Sequence, residues 1–253
     1  IVDNIKKQIE IKELNKILTP YEAQPFQRYL FSHAKKINKN IKTIGYVHDM
    51  MPLPIYYAPL EGLPDVLLLH SFDQKKYLTN YLKLPQKNIK LISSMRFFKG
   101  KIKMNGLIFF PHTIVYAKRI ISEFESFLKY SKKKSIERLK IKIHPTAENF
   151  ETQLSLKLKL ENIMTNYKDR FDKNIKNRKL AIVIGLTSSV IEILENNVEV
   201  IHICPEPIFE CYTKLFWPSL KMKQLSQYTY IYKLIKHGRC LKFGNQANML
   251  KKY

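Results

Sequence analysis

Apolar residues along this chain fall into short runs, separated by longer stretches in which they recur every three or four positions. Short runs bounded by turn residues predict buried parallel strands, and the wider spacing predicts helices with one core-facing stripe. Residues 1–18 carry Ile5, Ile9, Leu14 and Leu18 at near-helical spacing and predict a charged helix. Tyr21-Glu22-Ala23-Gln24-Pro25 breaks that pattern, and Pro25 suits the first turn of a second helix over 26–37. Ile41-Lys42-Thr43-Ile44-Gly45-Tyr46-Val47-His48 predicts a strand, followed by a loop with Pro52, Pro54 and Pro59. Pro64-Asp65-Val66-Leu67-Leu68-Leu69-His70 and Asn88-Ile89-Lys90-Leu91-Ile92 predict two more strands. Between them lies a predicted helix over 73–82, with Ser71 as its cap.

A basic linker, Lys99-Gly100-Lys101-Ile102-Lys103, interrupts this order, and the pattern then restarts. Strands are predicted at 107–111, 139–143, 180–184 and 198–203, with helices over 114–130, 149–167 and 188–195 between them. Strand–helix alternation of this kind predicts an α/β fold. The restart divides it into two Rossmann-like halves facing a cleft, an N-terminal domain over 1–98 and a C-terminal domain over 99–253. The chain begins without Met, and its first half is short for a complete Rossmann half, which suggests missing N-terminal sequence. Residues 208–235 hold Phe209, Tyr212, Phe216, Trp217, Tyr228, Tyr230 and Tyr232 among lysines. The reading favoured there is helix packing with a solvated basic face; a membrane interface is the alternative.

Charge changes the picture more than composition does. The net charge is +23. Residues 1–98 carry 15 basic and 8 acidic side chains, and residues 99–253 carry 29 and 13. Part of this excess reflects a Lys-rich composition. The rest points to an anionic partner: a nucleotide sugar, an anionic membrane or nucleic acid. No helix-turn-helix, zinc finger or RNP motif supports specific nucleic-acid binding. Cys204, Cys211 and Cys240 show no CxxC spacing and read as reduced cytosolic thiols. No apolar run approaches the roughly 20 residues that span a bilayer, and no secretory signal opens the sequence. The expected location is the cytoplasm, including the inner face of the cytoplasmic membrane.

Candidate chemistry concentrates in two motifs about forty residues apart. Ile141-Lys142-Ile143-His144-Pro145 is a strand ending in an imidazole, with Pro145 stopping the ladder. Ile182-Val183-Ile184-Gly185-Leu186-Thr187-Ser188-Ser189 is a strand running into hydroxyls at the start of a helix. Gly185 permits a tight turn. Thr187, Ser188 and Ser189 suit helix capping, phosphate contact or both. Strand ends in one crevice of a parallel sheet are where α/β proteins bind nucleotides. In the first half, Glu22 is a candidate general base or a first-turn charge at a helix. His48 is placed for substrate contact, and Asp49 beside it is a second candidate base or nucleophile. Arg96 is a candidate for binding an anionic sugar or a phosphate, and Glu206 for binding a ribose or the acceptor. No Asp-x-Asp pair and no His/Cys cluster suggest a metal or a resident cofactor.

The His-Pro after a strand, followed by a Thr-Ser-Ser helix start, resembles bacterial sialyltransferases and Kdo transferases of the two-Rossmann-domain, GT-B type. The segments Tyr21-Glu22-Ala23-Gln24-Pro25, Lys42-Thr43-Ile44-Gly45-Tyr46-Val47-His48, Pro64-Asp65-Val66-Leu67-Leu68 and Ser94-Met95-Arg96-Phe97 are similar to bacterial surface-carbohydrate biosynthesis proteins. The likeness runs over roughly residues 20–205. It implies that His144, Pro145, Gly185, Thr187, Ser188 and Ser189 bind the CMP part of a donor. The acidic-acidic-Gly base motif of the sialyltransferases is absent; Glu61-Gly62 is half of it. The expectation is a glycosyltransferase that passes an acidic, sialic acid- or Kdo-like sugar from CMP to a glycan or glycolipid acceptor of capsule or lipopolysaccharide. A UDP- or GDP-sugar transferase or epimerase of the same fold is the first alternative, and a basic membrane- or nucleic-acid-binding protein the second.

Overall fold

Most of the periodicity becomes the elements it predicts, and the exceptions lie near the two ends of the chain. The computed structural model describes residues 14–48, 61–99, 104–111, 114–143, 150–172, 179–205 and 212–244. The chain divides into two compact units. One comprises 1–99 with 215–217 and 238–253, the other 100–214 with 218–237. Each is mixed α/β with a sheet rich in parallel pairs.

The first unit begins with strand β1 (Lys16–Pro20), helix α1 (Pro25–Ile37), strands β2 (Lys42–Tyr46) and β3 (Val66–Leu69), helix α2 (Phe72–Asn80) and strand β4 (Ile89–Leu91). The four strands lie in the order β1-β2-β3-β4, all parallel. Residues 16–18 are therefore strand, not the end of a helix. β1 pairs with β2 along its whole length, Lys16 opposite Lys42 through Pro20 opposite Tyr46. Residues 1–13 lie outside the described residues, so the rest of that predicted helix is not addressed. Burial follows a period of two along β1, with Ile17 turned to the core and Leu18 outward, so sheet pairing overrides the helical spacing. Pro25 opens α1 as expected, and the Ser71 hydroxyl accepts the Gln74 amide at the start of α2. One sheet face packs Phe31, Leu67, Leu69, Leu78 and Ile89; the other carries Ile44, Tyr46, Leu68 and Ile92.

Residues 238–244 return to this unit as a strap. Where β3 and β4 part, the Lys242 amide donates to the His70 carbonyl, and the Ser94 amide donates to the Lys242 carbonyl. Arg239 accepts the Phe72 and Asp73 amides through its carbonyl, and its guanidinium lies 3.6 Å from the Phe72 ring centroid.

The second unit holds β5 (Leu107–Phe109), α3 (Ala117–Tyr130), β6 (Ile136–Glu137), β7 (Lys140–Lys142), α4 (Glu151–Asn166), β8 (Phe171–Asp172), β9 (Leu180–Ile184), α5 (Ser189–Glu195), β10 (Glu199–Ile203), β11 (Leu220–Gln224) and β12 (Thr229–Leu234). Its main sheet runs β11-β12-β10-β9-β5-β7, and β6 pairs with β8 separately. The four strands β10-β9-β5-β7 are parallel, and β12 and β11 add an antiparallel hairpin. Residues 220–224 and 229–234 of the aromatic–basic stretch are thus strands where helix packing was predicted, and 208–211 lie outside the described residues. Val200 pairs with Tyr232 and Ile201 with Ile231 across β10 and β12, so sheet pairing and not a helical stripe organises these residues. The core side packs Ile108, Ile182, Ile184, Ile201 and Ile203 against Phe124, Leu128, Leu156 and Leu160 of α3 and α4. Among the described residues no helix is long and apolar enough to cross a membrane. Cys204 and Cys240 are buried.

Candidate functional site

Chain order places a reversal in the second sheet. From β5 the chain goes to β7 on one side, then to β9 on the other. The carboxyl ends of β5 and β9 therefore flank a topological switch point, where ligands of open α/β sheets bind. The loop leaving β9 is Gly185-Leu186-Thr187-Ser188. Gly185 has φ +64°, a left-handed conformation that suits glycine. Its amide donates to the Ile203 carbonyl at 2.8 Å.

Two buried side chains hold the carbonyls of this loop. His202 Nε2 lies 2.7 Å from the Gly185 carbonyl oxygen. A carbonyl only accepts, so Nε2 carries the proton. That leaves Nδ1 to accept from the Tyr232 hydroxyl at 3.3 Å. Burial pushes the His202 pKa down to about 4, against the opposing pull of the Gly185 carbonyl, so the ring is neutral at pH 7. The Tyr212 hydroxyl donates to the Thr187 carbonyl at 2.5 Å, and the Tyr212 ring stands edge-on to His202. Side chains of Thr187, Ser188 and Ser189 are half-buried. Ser188 precedes α5 but makes no side-chain capping bond. Thr187 Oγ1 instead accepts the Ser189 amide at 3.3 Å and donates to Ser189 Oγ at 3.1 Å.

The first unit collects a second set at the carboxyl edge of its sheet. Glu22 follows β1, His48 follows β2, His70 follows β3, and Arg96 lies in the turn after β4. Glu22 Oε1 and His48 Nε2 are 3.0 Å apart, with the carboxylate side chain 39% exposed and so open to a reactant. Gln27 builds the turn that carries Glu22. Its Oε1 accepts the Glu22 amide at 2.9 Å and the Gln24 amide at 3.0 Å, and its Nε2 donates to the Pro20 carbonyl at 2.9 Å. Ala23, next to Glu22, is buried at φ 58°. A left-handed alanine costs on the order of 1–2 kcal/mol, and such strain gathers at functional turns.

His70 is 1% exposed, and neither ring nitrogen has a partner of good hydrogen-bond geometry among the described residues. Burial first, then the nearby charges of His48 and Arg96, push its pKa down to about 3, with the Val47 backbone working weakly the other way. Ser94 Oγ accepts the Arg96 and Phe97 amides at 3.1 and 2.9 Å and sets the turn that carries Arg96. By contrast, Asp65 lies at the amino edge. Burial opposes its ionisation, yet hydrogen bonds from Lys35 and Thr43 outweigh that and hold the carboxyl below its usual range. That is the edge where open sheets do not bind ligands, and Asp65 reads as structural.

The structure thus pairs Glu22 with His48, sets Arg96 on the same sheet edge, and places Gly185, Thr187, Ser188 and Ser189 along the turn from β9 into α5. Asp49, His144, Pro145 and Glu206 lie outside the described residues. Sequence reasoning missed Gln27, His70, His202 and Tyr212. Gln27 was legible: a Gln three residues into a helix commonly reaches back over its cap. His202 and Tyr212 sit in a strand and in an aromatic run and give no such signal. Among the described residues no three side chains of His, Cys, Asp or Glu converge as a metal site. No family model matches this chain, and no curated protein matches it.

Proposed function

We propose that this chain is a metal-independent glycosyltransferase of the GT-B type, which moves an acidic sugar from a CMP-linked donor to a glycan or glycolipid acceptor. The observation that carries the reading is the Gly185–Ser189 loop at the switch point between β5 and β9. In this reading the second unit holds the donor. Hydroxyls of Thr187, Ser188 and Ser189, with His144 and Pro145, receive the CMP part, and His202 and Tyr212 keep the loop backbone in place. The first unit receives the acceptor. Glu22, oriented by His48 and Gln27, takes the proton of the acceptor hydroxyl as its oxygen bonds to the anomeric carbon. The CMP phosphate leaves with the electrons of the broken bond. Arg96 faces the acidic group of a substrate. Asp49 remains the alternative carboxylate, and Glu206 a candidate for ribose or acceptor.

Glu22 fits the base role on three counts: it is part-exposed, lies 3.0 Å from an imidazole nitrogen, and is carried on a clamped turn. General-base catalysis contributes about 10²–10⁴-fold, so Glu22→Gln is expected to lose turnover by that factor while CMP still stabilises the fold. The deciding experiment is thermal stabilisation by CMP, UDP, GDP and NADH. CMP near 100 times its dissociation constant is expected to add about 2.7 kcal/mol. Larger shifts with UDP or GDP would move the assignment to those nucleotide sugars, and no shift with any of the four would remove the nucleotide reading.

A further inference from the structure

On α4 the buried side is formed by Gln153, Leu156 and Leu160, which leaves Leu154 and Leu158 outside at 42% and 61% exposure. Helical spacing sets Leu154, Leu158, Glu161 and Thr165 on one face. Glu161 and Thr165 belong in turn to a groove of about 810 Å³, which also takes in Ile141 of β7 and Phe171. Four cations line this groove: Arg138, Lys140, Lys157 and Lys168. Its one carboxylate among the described residues, Glu161, lies 3.9 Å from Lys157. Exposed leucines therefore run along α4 directly into a cationic groove with an apolar floor.

We infer that this face of the second unit, α4 with the β7 edge, rests on an anionic phospholipid bilayer. The leucines would enter the boundary between headgroups and acyl chains, and the groove cations would meet lipid phosphates. Charge argues against a second copy of the chain, because a two-fold contact would set four cations of each copy against the same four. Side-chain chemistry argues against single-stranded nucleic acid, which stacks on exposed aromatic faces: Leu154 and Leu158, on the outer face, are aliphatic, and the groove's Phe171 is half-buried. The inference goes beyond the nucleotide reading and does not need it. If both hold, the face sets the enzyme on the surface where a glycolipid acceptor lies.

The test is sedimentation of the full chain with vesicles of phosphatidylglycerol and phosphatidylcholine, at low and high salt. Binding is expected to require phosphatidylglycerol. Leu154→Ser with Leu158→Ser leaves the charge unchanged and is expected to weaken binding at least tenfold. Lys140→Ala with Lys157→Ala is expected to weaken it on the order of 10–30-fold. Lys83→Ala with Lys87→Ala removes the same charge from the first unit and is expected to weaken it far less. Equal losses from the two lysine pairs, or undiminished binding by the leucine variant, would overturn the inference and reduce the effect to net charge. A dimer of the native chain that the leucine variant dissolves, seen by light scattering, would replace the bilayer with a second copy. Thermal shifts with CMP, run on the same variants, keep failure here separate from failure of the nucleotide reading.

Discussion

Gln27→Met would test the turn on which the candidate base stands. The Gln27 carboxamide makes three hydrogen bonds, two accepted from the Glu22 and Gln24 amides and one donated to the Pro20 carbonyl. Gln27 is buried, so methionine conserves its volume while removing all three. Each bond is worth about 1 kcal/mol net, and a buried backbone group left unpaired costs more. The turn is only part-buried, so water recovers some of the loss. The expected destabilisation is about 2–4 kcal/mol. Gln27→Glu keeps both accepted bonds but sets a buried carboxylate oxygen against the Pro20 carbonyl, two acceptors face to face, and is expected to cost at least as much at pH 7. Urea unfolding followed by circular dichroism measures both. Gln27→Met is further expected to lower turnover while leaving CMP stabilisation intact, because it displaces Glu22 and touches nothing in the β9 loop. A Gln27→Met variant within about 0.5 kcal/mol of the native chain would refute the clamp, given the range of ordinary surface substitutions.

Three further outcomes follow from the same geometry. Gly45→Ala puts a methyl 2.8 Å from the buried Tyr21 ring and 3.0 Å from Pro64; overpacking of this kind costs about 1–3 kcal/mol, and an unchanged thermal midpoint would contradict it. The folded-state pKa values of His202 and His70 lie below their unfolded value of 6.5, at about 4 and about 3, because burial disfavours the charged rings. The unfolded chain therefore binds protons first as pH falls, so stability is full above pH 6.5 and declines below it, towards pH 4 for His202 and pH 3 for His70. For His202 alone the loss is about 3 kcal/mol, and His202→Gln should flatten the decline in unfolding measured across that window. Tyr212→Phe removes the hydroxyl that holds the Thr187 carbonyl; CMP affinity is expected to fall about fivefold, for a bond of about 1 kcal/mol, and calorimetry showing unchanged affinity would detach Tyr212 from the loop.

Local pattern determined most of the elements in this chain. Pro25 opens a helix because its fixed φ and missing amide suit a first turn, and Ser71 starts another because its hydroxyl reaches the Gln74 amide. The run Leu180–Ile184 reads as a buried strand because a strand covered on both faces is apolar throughout. Gly185 marks a turn for the same local reason, its φ of +64°. Tertiary contact decided the rest. Residues 16–18 are strand because β2 offers them a ladder, and no spacing within the first twenty residues contains that partner. Within the aromatic run, residues 220–234 form a hairpin because β10 presents an edge to β12. Bringing Glu22 to His48 takes two strands side by side, and bringing His202 to Gly185 takes two more. Those pairs are separated by 26 and 17 residues of chain, and only strand order, which local sequence does not encode, makes them neighbours.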